Sequence, residues 1–157
     1  MGRIAGGVRA IKLEKGDEVV AMELVEPDQE LLVVTENGYG KRTSVKDYKI
    51  QVRGGKGLLT YDKTKFKKTG ALIGAMVVDE DDEILMINSE GIIIRIRAGE
   101  VSKLGRATQG VKIMKVGDDT KIVAMAKVIK EDDEEEDDET EPKPKKAEKN
   151  SDEQMTL

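Results

Sequence analysis

Gln51-Val52-Arg53-Gly54-Gly55-Lys56-Gly57 is the stretch whose residue types and spacing are equipped for chemistry, and that chemistry is the holding of an anion. Its three glycines leave the backbone almost bare. Glycine reaches positive φ and lets N–H groups approach a phosphate closely. Arg53 adds a bidentate fork and Lys56 a point charge. On the motif alone, a tight turn carrying two solvated cations is the commoner reading, and the surroundings decide between the two. From Tyr39 to Lys68, ten Lys or Arg residues stand against Asp47 and Asp62, a local charge of +8 in a chain of net charge −5. Tyr39, Tyr48, Tyr61 and Phe66, the only aromatic residues of the chain, all fall in this window. Basic residues interleaved with aromatics are the composition of a nucleic-acid surface.

Other chemistries are excluded by what is missing. The 157 residues include no Cys, His or Trp, which removes disulfides, soft-metal sites and thiol or imidazole catalysis. The length suits one domain. No run of about 18 apolar residues and no charged-then-apolar leader is found, so a soluble cytoplasmic protein is expected. Gly38-Tyr39-Gly40-Lys41-Arg42-Thr43 evokes a phosphate loop, but Thr35 stands where the earlier glycine is required, and nucleotide binding is rejected. The acids at 79–83 and 118–119 lack calcium-loop spacing and read as solvated turns. No catalytic, metal or cofactor site is expected in this chain.

The elements that must position the basic window come from an internal repeat. Arg3…Gly7-Val8, Arg53…Gly57-Leu58 and Arg106…Gly110-Val111 share one spacing. Val20-Ala21-Met22, Gly74-Ala75-Met76 and Val123-Ala124-Met125 recur in phase, as do Gly38 and Gly91. A period of about 50 residues signals blades or solenoid units. Each unit reads as β-structure, with Glu36-Asn37-Gly38 and Ser89-Glu90-Gly91 as hairpin turns. Ten strands are expected: 8–13, 19–25, 31–35, 39–43, 58–61, 72–78, 84–87, 92–97, 111–116 and 122–130. They divide into a half unit, 1–27, and two four-stranded units, 28–80 and 81–130. Met22, Met76 and Met125, and the run Ile92-Ile93-Ile94, are expected to fill the core. From Glu131 the pattern stops. Residues 131–157 carry thirteen acids and four lysines, and without apolar periodicity they are expected to form a disordered acidic tail.

Gln51–Gly57 resembles the Gln-basic-Arg-Gly-Gly-basic-Gly heptad of the C-terminal domain of DNA gyrase A. Asn37-Gly38-Tyr39-Gly40-Lys41-Arg42, Gly105-Arg106-Ala107-Thr108-Gln109-Gly110-Val111 and Met1-Gly2-Arg3…Gly7-Val8-Arg9 are similar to the same domain's blade signatures, so the resemblance covers residues 1–130. It implies an all-β fold, a propeller-like β-pinwheel around whose basic rim DNA is bent. The chain would supply about two blades and a half blade of an incomplete disc. It also implies that Gln51, Arg53, Gly54, Gly55, Lys56 and Gly57 line double-stranded DNA, with Lys41, Arg42, Lys49, Arg95 and Arg106 as further contacts. The partners it implies are the rest of gyrase A, and gyrase B. ATP, magnesium and the strand-cleaving tyrosine belong to other parts of that enzyme, and Tyr39, Tyr48 and Tyr61 lack the arginine that neighbours such a tyrosine.

Two departures stand out. Val52 occupies a position that is usually basic, and the acidic tail begins one blade after the heptad. Together they suggest a heptad-like copy in the penultimate blade of a longer protein. The alternatives are the corresponding domain of topoisomerase IV, which lacks such a heptad, and a propeller-type protein-interaction module, whose rim would carry apolar anchors.

Overall fold

The structure is a computed structural model, and it describes residues 2–129. The expected acidic tail lies outside the described residues. Seven strands form: β1 Glu30–Thr35, β2 Tyr39–Ser44, β3 Leu72–Val78, β4 Glu83–Asn88, β5 Ile93–Arg97, β6 Val111–Lys112 and β7 Ile122–Lys127. Among the described residues the only α-helix is one turn, α1 Phe66–Thr69. The described residues are therefore mainly β-structure, as their β-branched runs and closely spaced glycines imply.

Two sheets are built, in the orders β3-β1-β2-β6 and β5-β4-β7. The repeat is visible atom by atom. β1–β2 and β4–β5 are antiparallel hairpins closed at Gly38 and Gly91, each with φ +81°. β1 on β3 and β4 on β7 each shift register at the same place, between Val34 and Thr35 and between Ile87 and Asn88. Leu32, Val34, Val78, Ile84, Met86, Ala98, Val101, Met114 and Ile122 form the buried core. Met76 of β3 and Met125 of β7 pack against it. A Cβ on Gly74 would lie 2.8 Å from Met125 Sδ, so glycine there lets the second sheet close on the first.

The fourth strand of the first sheet departs from expectation. It is β6, from the following unit, and not Leu58–Tyr61 from the same unit. The joint needs backbones in near contact. Gly110 has φ +78°, and a Cβ there would meet Gly40 O at 2.6 Å; a Cβ on Gly38 would meet Met114 O at 2.0 Å. These two glycines show what the Gly of Arg-x-x-x-Gly and the hairpin glycine do at a joint between units. The third strand of a unit thus crosses to the hairpin of the unit before it. No such hairpin precedes 58–61 among the described residues, and 58–61, 8–13 and 19–25 form no strand. The expected strand over 111–116 shortens to two residues for a related reason, because Met114 turns into the core. Without a sheet over it, Met22 is 93% exposed, which corrects its expected place in the core. Ile92 and Ile93 are exposed as well, and only Ile94 of that run packs inward.

Candidate nucleic-acid interface

The eleven residues expected to contact DNA separate into two groups with opposite environments. Lys41 and Arg42 are interior residues, 0% and 5% exposed. β2 is buried along Gly40–Thr43 because β1 lies on one side and residues 101–114 on the other. Lys41 Nζ donates to Gly105 O at 2.7 Å, to Arg106 O and to Thr108 Oγ1 at 3.2 Å. Burial, with Arg106 nearby, pushes its pKa down to about 8. Arg42 Nε donates to Val101 O at 2.8 Å, Nη2 to Gly99 O at 3.1 Å, and Nη1 to the Glu30 carboxylate. Lys103 reaches the other oxygen of Glu30 at 2.7 Å. A buried cation is tolerated only with such partners. Both side chains therefore fasten one repeat to the next, and neither is on the rim.

The heptad loop is different. Gln51, Arg53, Lys56 and Gly57 are exposed, and so is Lys49 beside them. Arg53, Lys56 and Lys49 enter no ion pair among the described residues. Gln51 Nε2 donates to Lys49 O at 3.2 Å, which braces the loop's entry. Gly54 and Gly55 are half-buried and do a different task from the one expected of them. Gly54 N–H donates to Ala10 O and Gly55 O accepts from Lys12 N–H, both at 2.8 Å. Gly54 has φ +74°. Its N–H is thus engaged within the chain and does not cradle an anion. The glycines pin the loop on residues 10–12 and leave Arg53 and Lys56 in solvent.

Arg106, the counterpart of Arg53 one unit on, is half-buried, with Cζ 5.9 Å from the Tyr48 ring centroid and Nη1 donating to Leu59 O at 3.3 Å. Arg95 is exposed but paired with Glu83. The aromatics are mostly structural. Tyr61 is buried, stacks on Phe66 at 5.9 Å between centroids and donates its hydroxyl to Gln109 O. Burial pushes its phenol pKa up.

One cationic cleft lies outside the expected residues. Lys68 and Lys112 place Nζ 5.5 and 5.6 Å from the centroid of Tyr39. With Asn37, Val116, Gly117 and Asp118 they line a cleft of about 170 Å³. Each ring contact contributes roughly 0.5–1 kcal/mol at an exposed site. Lys112 lies 73 positions after Tyr39 and reaches it only because β6 crosses to β2, so no local sequence signal marks the pair.

Two repeated hairpins, the first completed by an outer strand from the following unit, define a propeller-type repeat domain. A solved structure of the DNA gyrase A C-terminal domain superposes on 78% of this chain and 41% of its own, with a TM-score of 0.72 at 36% identity. The C-terminal domain of DNA topoisomerase IV matches with a TM-score of 0.71 over 78% of this chain and 38% of its own, at 20% identity, a likeness of fold alone. The family described as DNA gyrase C-terminal domain, beta-propeller, matches residues 1–26, 29–79 and 82–129. The chain belongs to that family. The DNA gyrase A of Mycolicibacterium smegmatis is 42% identical over 135 residues, 85% of this chain. That of Staphylococcus aureus strain MRSA252 is 42% identical over 159 residues, 100% of this chain. The chain spans 16% of the length of each.

Proposed function

We propose that this chain binds double-stranded DNA through its phosphates, as part of the DNA-wrapping domain of a DNA gyrase A. The observation that carries the reading is the state of Arg53 and Lys56: exposed, outside every ion pair among the described residues, and set on a loop anchored by Gly54 and Gly55. Family membership and the relatives support the same reading. Gln51, Lys49, Gly57, Arg95, Arg106 and the Tyr39–Lys68–Lys112 cleft are the further groups that would meet the DNA. Contacts of this kind fix the DNA's path with little reading of sequence, and they must offset the elastic cost of bending it.

In the whole enzyme such wrapping supports ATP-dependent negative supercoiling, in the bacterial cytoplasm and on nucleoid DNA. The chain then acts with the rest of gyrase A and with gyrase B. It has no catalytic step of its own, and ATP and magnesium act in other parts of the assembly. The identity to gyrase relatives favours this reading over a topoisomerase IV domain, whose likeness here is one of fold. The test is duplex affinity measured over a salt series. Each phosphate contact adds about 0.9 to the log–log slope, so a steep slope supports the reading and a flat one refutes it.

A further inference from the structure

Three side chains meet where β2 pairs with β6, in a way the rest of the fold does not require. Tyr39 lies opposite Lys112 across the strands, and the Nζ atoms of Lys68 and Lys112 are 5.5 and 5.6 Å from its ring centroid. We propose that the cleft of about 170 Å³ at this point seats one phosphate group, gripped by both lysines at once, and that the seated phosphate straps the β2–β6 joint shut. The phosphate is a phosphodiester of the duplex, and only this choice of source rests on the DNA-binding reading. Its seat is separate from the heptad loop.

Backbone contacts deliver each lysine to the cleft. Asn37 N–H donates to Thr69 O at 3.0 Å and Asn37 Nδ2 to Lys68 O at 2.9 Å, which fixes the end of α1 against the hairpin turn. Ile113 N–H and Met114 N–H both donate to Gly38 O, at 2.8 and 3.2 Å, which keeps β6 beside Tyr39. The cations so delivered have no counter-ion of their own. Lys68 and Lys112 are exposed, and neither enters an ion pair among the described residues. Glu36, next to Asn37, is occupied by Ala71 N–H and by Lys121, both at 3.2 Å. Asp118 lines the cleft but pairs with neither lysine. Two like charges drawn to one ring repel each other. An oxyanion bound by both offsets that repulsion through charge-assisted hydrogen bonds.

The second hairpin shows that the scaffold is built without this cluster. Gly91 closes it with the same φ of +81° as Gly38, yet the repeat puts Ile92 in the place of Tyr39 and Glu90 in that of Asn37. Glu90 still braces its turn, accepting from Thr120 Oγ1 at 2.8 Å. The turn and its brace thus recur, while the aromatic ring does not. The joint that the cluster overlooks is narrow, two residue pairs and two further N–H groups on one carbonyl. Lys68 lies on α1 and Lys112 on β6, so a phosphate held by both crosses it. A ligand held only while the joint is closed stabilises the closed state by mass action.

The test reads amide hydrogen exchange at Ile113 and Met114 in the whole chain, with inorganic phosphate compared with chloride at equal ionic strength and pH. Exchange at these N–H groups reports opening of the joint. At phosphate ten times above its dissociation constant, exchange should slow about tenfold. Lys68→Met and Lys112→Met, both at exposed positions, should each abolish the slowing. Lys15→Met, an exposed change of equal charge, should keep it, and Asp118→Asn should bring it on at lower phosphate. Exchange as fast in phosphate as in chloride overturns the seat. Slowing that survives in Lys68→Met overturns it too, by assigning the effect to general charge. A short duplex in place of phosphate should give the same slowing, lost in the same two variants. A duplex that binds with a steep salt slope yet leaves Ile113 and Met114 unprotected overturns DNA as the source, while the DNA-binding reading stands. Protection by phosphate beside a flat salt slope for duplex refutes that reading and upholds the seat for free phosphate.

Discussion

Lys41-Arg42 and Arg53…Lys56 are cations of the same kind, about a dozen positions apart, and the fold puts them to opposite uses. The first pair lies in a strand covered on both sides, where each donor points at a carbonyl, a hydroxyl or a carboxylate of the same chain. The second pair lies on a loop whose glycines make the internal contacts, which leaves the charges to solvent. Charge counted along a sequence is therefore not charge available to a ligand. Of the ten basic residues in the window, two are buried and Lys46 is paired with Asp28 at 2.6 Å. The surface that remains is still basic, and it is concentrated at the heptad loop and at Lys63–Lys68.

Breaking the buried side of this comparison should have the largest effect. Arg42→Ala leaves Glu30 with Lys103 alone and frees two carbonyls, and it should cost about 3 kcal/mol in urea unfolding. The Arg53→Ala, Lys56→Ala pair should stay within about 0.5 kcal/mol of the parent in the same experiment. Next come the glycines at equivalent positions. Gly57→Ala and Gly110→Ala both force alanine to positive φ, at roughly 1–3 kcal/mol each. Gly110→Ala must also move Gly40 O, so its midpoint should fall further. Equal losses would remove the special status given to the β2–β6 joint.

A smaller effect is expected from pH. Lys41 has a folded pKa of about 8 against an ordinary 10.5. Between those values the unfolded chain binds the extra proton, so stability rises with pH there and is lost again as pH falls through about 8. Thermal unfolding from pH 7 to 10 should show the parent gaining on Lys41→Met across that range. A constant difference between the two would mean that the buried amine keeps its ordinary pKa. The smallest effect should come from deleting residues 131–157, whose net charge is −9. Affinity for duplex DNA should rise at low salt, and the gain should vanish at high salt as screening shortens to a few Å. Equal affinities would leave the tail with no share in DNA binding.

Much of the fold was legible because hairpins announce themselves locally. Asn37-Gly38 and Glu90-Gly91 sit between apolar runs, and the shared spacing of Arg106…Gly110 and Arg53…Gly57 marks equivalent turns. The exchange of β6 into the preceding sheet was not legible, because it depends on which hairpin a strand meets and not on the strand itself. The same blindness hid the burial of Lys41 and Arg42, since their covering residues lie about 60 positions away. It also hid the Lys68–Tyr39–Lys112 cleft. The heptad's glycines were assigned to the ligand, whereas Gly54 and Gly55 make backbone contacts with residues 10–12 that no local signal announces.

Arg53 and Lys56 as the cations that meet DNA phosphates are tested most directly by the log–log salt slope of duplex binding, measured on the whole chain and on the Arg53→Ala, Lys56→Ala variant. The expected slope is shallower by about 1.8, two contacts at about 0.9 each, with weaker binding at low salt and unchanged stability. A variant that keeps the parent's slope and affinity would contradict this assignment and place the DNA elsewhere on the molecule.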